Sequence, residues 1–281
     1  MSRPIEWLSD RVFKLAAGLF TALFVAFFLF PYLWTVDTAI KPPDQVYAIP
    51  SVWLPSSIYL GSFRFVFDKQ FGVNLLNSAI VSTSTTVFVL VLGCLGAYAL
   101  ARIQFWGRAA VLAAVLSVSM FPEVSVISAL FMWLRQWGLL NTFQALIIPY
   151  ASFALPFTLW ALTNFFRQVP WELEEAALID GCTQLSALWR VILPLAAPGL
   201  VTCAILVFIS AWNEFLFAYT FVSTDAARTV PVRIFMFQGE FESPWGQISA
   251  ASVLVTLPLI VMVLVFQRRI IQGLTAGALK G

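Results

Sequence analysis

Six stretches of this chain, near residues 13–36, 75–101, 109–131, 145–166, 199–222 and 248–267, stay apolar long enough to cross a bilayer, which takes about 20 residues of helix. In lipid every backbone polar group must be satisfied within the segment, so such stretches fold as helices. The pattern predicts an all-α membrane protein with six transmembrane helices in one domain spanning 1–281. Only 11% of the residues are charged, under half the ~25% of a soluble domain. That is too little charge to cover a water-exposed surface. Arg3, Arg11 and Lys14 precede the first stretch as they would in a signal peptide. Its apolar run exceeds the roughly 7–15 residues of a signal core, and no small-x-small cleavage site follows. It reads as a retained helix.

Six spans put both termini on one side. With the termini inside, the cytoplasm holds Arg3, Arg11, Lys14, Arg102, Arg108, Arg167, Arg190, Arg268, Arg269 and Lys280. The outside holds Lys41, Arg64, Lys69, Arg135, Arg228 and Arg233. Ten cations against six gives the inward bias expected of cytoplasmic termini. A loop at 167–198 and a tail at 268–281 then face the cytoplasm, and two sizeable loops, about 37–74 and 223–247, face outward.

Several chemistries are excluded. There is no histidine, the commonest general base and metal ligand. Cys94, Cys182 and Cys203 show no metal spacing, and Cys94 and Cys203 fall in apolar spans where a small buried hydrophobe is expected. No phosphate-binding G-x-x-x-x-G-K-[ST] occurs, so any ATP that drives this chain is hydrolysed on another subunit. No basic cluster suggests nucleic acid, and no residue is assigned a catalytic role or a metal.

One block breaks the apolar pattern. "VPWELEEAALIDGCTQLSALWRVILPLAAPG", Val169–Gly199, holds Glu172, Glu174, Glu175 and Asp180 with a single base, Arg190. Pro170 and the early acids favour a helix start, and Gly181 a stop. Thr183 can cap a second short helix, which Pro194 interrupts. On a helical wheel Leu173, Ala176, Ala177 and Leu178 lie towards one side, and Glu172, Glu175 and Asp180 towards another. Helices resting on anionic leaflets carry basic polar faces. A net acidic helix with central alanines suits close approach by another protein.

"EEAALIDGCTQLSALWRVILP" resembles the EAA loop of binding-protein-dependent ABC importer permeases: E-A-A, three residues, G, nine residues, I-x-L-P. The matching positions are Glu175, Ala176, Ala177, Gly181, Val191, Leu193 and Pro194, with Val191 in place of Ile. "GCLGAYALARIQFWGR", "MFPEVSVISALF", "ILVFISAWNEFLFA" and the ending "FQRRIIQGLTAGALKG" extend the resemblance to the carbohydrate-uptake branch, most closely the maltose/trehalose-type subunit with a short cytoplasmic tail.

The resemblance implies a type I ABC importer permease fold. It implies a coupling helix in which Trp171, Glu172, Glu174, Glu175, Ala176, Ala177, Asp180, Gly181, Arg190, Leu193 and Pro194 dock on a cytoplasmic ATPase subunit. Its tail would reach the ATPase through Leu274, Thr275, Gly277 and Lys280. The implied partners are a second permease forming a heterodimer, two ATP-binding subunits (or one used twice) that bind ATP and Mg, and an extracytoplasmic sugar-binding protein. The setting is a bacterial or archaeal cytoplasmic membrane. The cargo would be a di- or oligosaccharide such as trehalose or maltose. Alternatives are another solute, such as glycerol phosphate or a monosaccharide, and a self-sufficient secondary transporter.

Polar residues inside spans mark pathways. Asn213 and Glu214 lie in the fifth span and Glu123 follows Pro122 in the third, while Trp212, Phe217 and Tyr219 offer faces for sugar rings. Prolines 122, 156 and 258 interrupt helix hydrogen bonding. Gly93, Ala97 and Ala101 form a small-x-x-x-small face for a neighbouring helix. In the outer loop Arg228, Arg233, Gln238, Glu240 and Glu242 are the candidates for contact with the binding protein; a plain surface connector is the competing reading.

Overall fold

The computed structural model describes residues 3–68, 70–239 and 243–276, and the side chains of residues 12–68, 70–239 and 243–270. Every regular element among them is helical: α1 (Arg3–Ile40), α2 (Pro43–Val46), α3 (Gly61–Asp68), α4 (Phe71–Arg102), α5 (Arg108–Val118), α6 (Glu123–Gln136), α7 (Gln144–Gln168), α8 (Trp171–Ile179), α9 (Gln184–Ala187), a π-helical turn (Leu188–Ile192), α10 (Leu193–Leu195), α11 (Ala197–Asn213), α12 (Leu216–Phe221), α13 (Val230–Phe235) and α14 (Trp245–Ala276). Four of them, from α1, α4, α7 and α14, are long and apolar enough to cross a membrane, and two bent pairs qualify if each is counted as one.

The six stretches read from the sequence thus become four to six candidate spans among the described residues. Helices α5 and α6 meet at 88°, and Gln184–Leu195 meets α11 at 84°. Pro122, the residue before α6, has extended backbone; it lacks an N–H and disfavours helix in the residue ahead of it. Pro198 sits in the first turn of α11, where a missing N–H costs nothing. The stretch near 199–222 breaks again after Asn213. Pro156 and Pro258, by contrast, lie within continuous helices.

The chain divides into two compact units. One comprises Met1–Lys69 and Phe237–Thr256. In it residues 12–31 of α1 are exposed, Lys41 is buried beside Asp37 and 4.3 Å over the Trp34 ring, and the Tyr47 hydroxyl donates to the Ser243 carbonyl at 2.6 Å.

The other, Gln70–Met236 with Leu257–Gly281, is built on α4 packed along α7 and α11. Gly93 permits the approach: a Cβ there would lie 3.1 Å from the Thr158 methyl. Ala97 is fully buried beside it, as the small-residue face predicts. One core cluster unites Cys94, Ala97, Leu162, Phe166 and Cys203 with Leu188 and Ile192 of the π turn. A second gathers Leu146, Tyr150, Phe217 and Phe221 around Val81 and Leu134.

Candidate functional site

The start of the acidic block folds as its residues suggest, but Pro194 does not interrupt the second helix: it lies within the helical run Gln184–Leu195, which breaks only before α11. Pro170 precedes α8, whose first turn carries Glu172 and Glu174 against the helix dipole. The helix ends where Gly181 turns to φ +89°, and the Cys182 amide donates back to the Ala177 carbonyl at 2.9 Å. Thr183 then caps α9, its hydroxyl accepting from the Ser186 amide at 3.2 Å.

What holds α8 is a buried carboxylate. Glu174 is 3% exposed. The Tyr98 hydroxyl donates to its Oε1 at 2.5 Å, and Arg102 Nε lies 3.0 Å from its Oε2. Arg102 also donates from Nη2 to the Val169 carbonyl at 2.9 Å and stacks 5.2 Å from the Trp171 ring centroid. The Trp171 indole donates to Glu175 Oε1 at 2.6 Å. Two members of α4 thus grip the entry and first turn of α8.

This corrects the wheel expectation. The inward residues are Glu174 and Ala177, while Leu173 and Leu178 are exposed. An acid faces the protein interior because the end of α4 supplies its cation and its donor. Glu172, Glu175, Ala176, Asp180, Gly181, Arg190 and Pro194 remain exposed, and Leu193 is buried in the core. Ile179, which the motif does not single out, is 86% exposed at the tip.

The intramembrane candidates separate. Glu123, Glu214 and Phe217 line one cavity with Thr85 and Tyr150. Trp212 is buried, stacked on Phe208; Asn213 donates to the Ile209 carbonyl of its own helix at 2.9 Å; Tyr219 packs on Phe215 and Phe235. None of these three lines the cavity. Glu214 also starts α12, its carboxylate accepting from the Phe217 and Ala218 amides at 2.7 and 3.2 Å.

In the 223–247 loop Arg228 is buried, paired with Asp225 and donating to the Ser223 carbonyl at 2.7 Å. Arg233 reaches the same Asp225, and Gln238 is exposed. Glu240, Glu242, Gly277 and Lys280 lie outside the described residues, as do the side chains of Leu274 and Thr275.

The sequence reading missed the residues that fix this loop. Asn74 and Asn77 of α4 both donate to the Arg228 carbonyl at 3.0 Å, and Ser78 Oγ accepts from the Val230 amide at 2.9 Å. Asn141, at φ +63°, accepts from the Ser223 and Thr224 amides at 2.7 and 3.1 Å. The signal was there: Asn74, Asn77, Ser78, Ser82 and Thr85 repeat at three- and four-residue spacing, a polar stripe down an apolar helix.

Residues 89–276 match the family model described as "Binding-protein-dependent transport system inner membrane component". The chain belongs to that family. The permease is 45% identical over 262 residues to the trehalose transport system permease protein SugB of Mycobacterium tuberculosis, covering 92% of this chain and 95% of that protein. It is 43% identical over 256 residues to the trehalose/maltose transport system permease protein MalG of Thermococcus litoralis, covering 90% and 92%. Its fold is similar to a chain of a bacterial ABC transporter involved in import of the acidic polysaccharide alginate, with TM-score 0.77 and 25% identity, covering 95% of this chain and 98% of that one. The ABC importer permease fold expected from the sequence is therefore present.

Proposed function

We propose that this permease is the sugar-conducting subunit of an ATP-driven importer and that α8 is the element through which a separate ATPase moves it. One observation carries the reading. Helix α8 presents Glu172, Glu175, Ala176 and Asp180 outward while Glu174, Tyr98 and Arg102 tie it from behind to a spanning helix. Exposed alanine allows close packing and the acids complement a basic groove. The buried pair makes α8 move with α4 as one body, which force transmission requires.

In this reading the chain crosses the cytoplasmic membrane six times, each bent pair counting once, with both termini inside. A second permease completes the path. Two ATP-binding subunits hold ATP and Mg, and an external binding protein delivers the sugar. The cargo is a trehalose- or maltose-class disaccharide, supported by the names of relatives at 45% and 43% identity.

The test is ATP hydrolysis by the purified complex in nanodiscs, with binding protein plus trehalose, maltose or neither. Stimulation by a loaded binding protein in the wild type, lost together with the ATPase subunits in Glu175→Lys/Gly181→Asp, is the expected result. Equal stimulation of the double variant would refute the docking role of α8.

A further inference from the structure

Two helix interruptions meet around one cavity. The first, the bend between α5 and α6, places Glu123 at the start of α6; the second, the gap between α11 and α12, places Glu214 ahead of α12. Both carboxylates line a cavity of about 100 Å³ together with Thr85, Tyr150, Ser210 and Phe217. Interrupted helices whose ends converge inside a membrane are where transporters of other folds hold their substrates.

Thr85 is the telling residue. Ser and Thr in membrane helices ordinarily bond the carbonyl four residues back, as Ser82 and Thr86 on either side do, at 2.5 and 2.7 Å. Thr85 does not: its hydroxyl is fully buried and without a partner. Across the cavity the buried Tyr150 hydroxyl faces the Glu214 carboxylate. A buried hydroxyl left open in an apolar region is costly unless a ligand completes it.

The lining also states what that ligand brings. Carboxylates only accept, and each hydroxyl does either, so the ligand must be rich in donors. No cationic side chain lines the cavity, and much of its wall is carbon, from Phe153, Ala154, Val207, Ala211 and Phe217. A bare cation gains nothing from that carbon, whereas the methylene of a primary alcohol does. The volume matches about three waters at roughly 30 Å³ each, too little for a sugar ring and enough for one hydroxymethyl arm.

On the sugar-permease reading above, we propose that this cavity is a recognition pocket for a primary hydroxyl arm of the transported sugar. Glu123 and Glu214 accept its O–H, and Thr85 and Tyr150 complete the shell. The ring itself stays outside, against the mouth formed by Glu123 and Ser210, both exposed.

The experiment measures radiolabelled trehalose retained by the full complex, with ATPase subunits and binding protein, trapped with vanadate in nanodiscs. Thr85→Val removes no hydrogen bond of the fold, and Glu123→Gln keeps its size. Each is expected to weaken retention about 10-fold, the equivalent of one hydrogen bond, with co-purification of the ATPase subunits unchanged. Trehalose lacking its primary hydroxyls should compete poorly for the wild type and no worse than trehalose for the variants. Retention by the variants at wild-type strength overturns the pocket and leaves the sugar reading standing. Retention that instead requires sodium, whatever the sugar's hydroxyls, identifies a cation site and overturns it too. A wild type that neither retains nor imports trehalose or maltose overturns both.

Discussion

The Glu174 carboxylate lies 3.0 Å from Arg102 Nε with both side chains about 5% exposed or less, so the first turn of α8 is ionically fixed to the last turn of α4. Tyr98, one helical turn before Arg102, closes the third side of that site. Removing one partner of a buried pair leaves the other uncompensated, at a cost of about 3–5 kcal/mol. Glu174→Ala should therefore lower the unfolding midpoint of the purified complex steeply. Glu174→Leu combined with Arg102→Met, which removes both charges, should recover much of the loss. A double variant as unstable as the sum of its single changes would show that the pair does not act as a unit.

Gly181 ends α8 at φ +89°, and a Cβ added there would meet nothing within 4 Å. Backbone conformation alone demands glycine, and a β-branched residue in the left-handed region costs about 1–2 kcal/mol. Gly181→Val should loosen the turn and reduce co-purification of the ATPase subunits. Gly181→Asn, which tolerates this conformation, should retain them. Equal loss in both would point to contact at Gly181 itself.

Much of this architecture is legible in the sequence, because lipid imposes a strong rule on length and hydropathy. The limits of α4 and α7 fall within four residues of the stretches read from the sequence, and Pro170, Gly181 and Thr183 mark the ends of α8 and α9 as their chemistry predicts. The two bends are less legible, since hydropathy carries no direction: Pro122 and Pro156 look alike in sequence, and only the first stands at a break. Glu174 is the instructive miss. Its role depends on Arg102, 72 positions earlier, and no local pattern reports a partner that distant. The EAA spacing locates α8, but which of its acids face outward is decided by where α4 ends.

Gly93 sets the separation of α4 and α7. A Cβ there would meet the Thr158 methyl at 3.1 Å and Leu162 Cδ1 at 3.5 Å, so alanine needs only a shift of a few tenths of an ångström. Gly93→Ala should be nearly silent. Gly93→Leu must part the helices, and overpacking of this kind costs about 1–3 kcal/mol. Thermal unfolding in detergent checks both. A silent leucine would mean that this interface is looser than its geometry indicates.

The same α4 that carries Tyr98 and Arg102 at one end carries Asn74, Asn77 and Ser78 at the other, where they hold the 226–230 backbone. At 32 residues and 1.5 Å per residue the helix is about 48 Å long, enough to join the 223–230 segment to α8 through one rigid element. If the binding protein acts through that loop, weakening the outer grip should uncouple stimulation without disturbing ATPase docking. Asn74→Ala/Asn77→Ala leaves the Arg228 carbonyl without both donors, at a cost of about 1–3 kcal/mol per buried group, and Glu174 remains in place. The expected outcome is normal co-purification of the ATPase subunits, normal basal hydrolysis, and several-fold weaker stimulation by loaded binding protein. Faster proteolysis of the 223–230 segment should accompany it, because its hydrogen bonds set how often it opens. Full stimulation despite a protease-sensitive loop would exclude α4 as the connecting element and direct attention to another span.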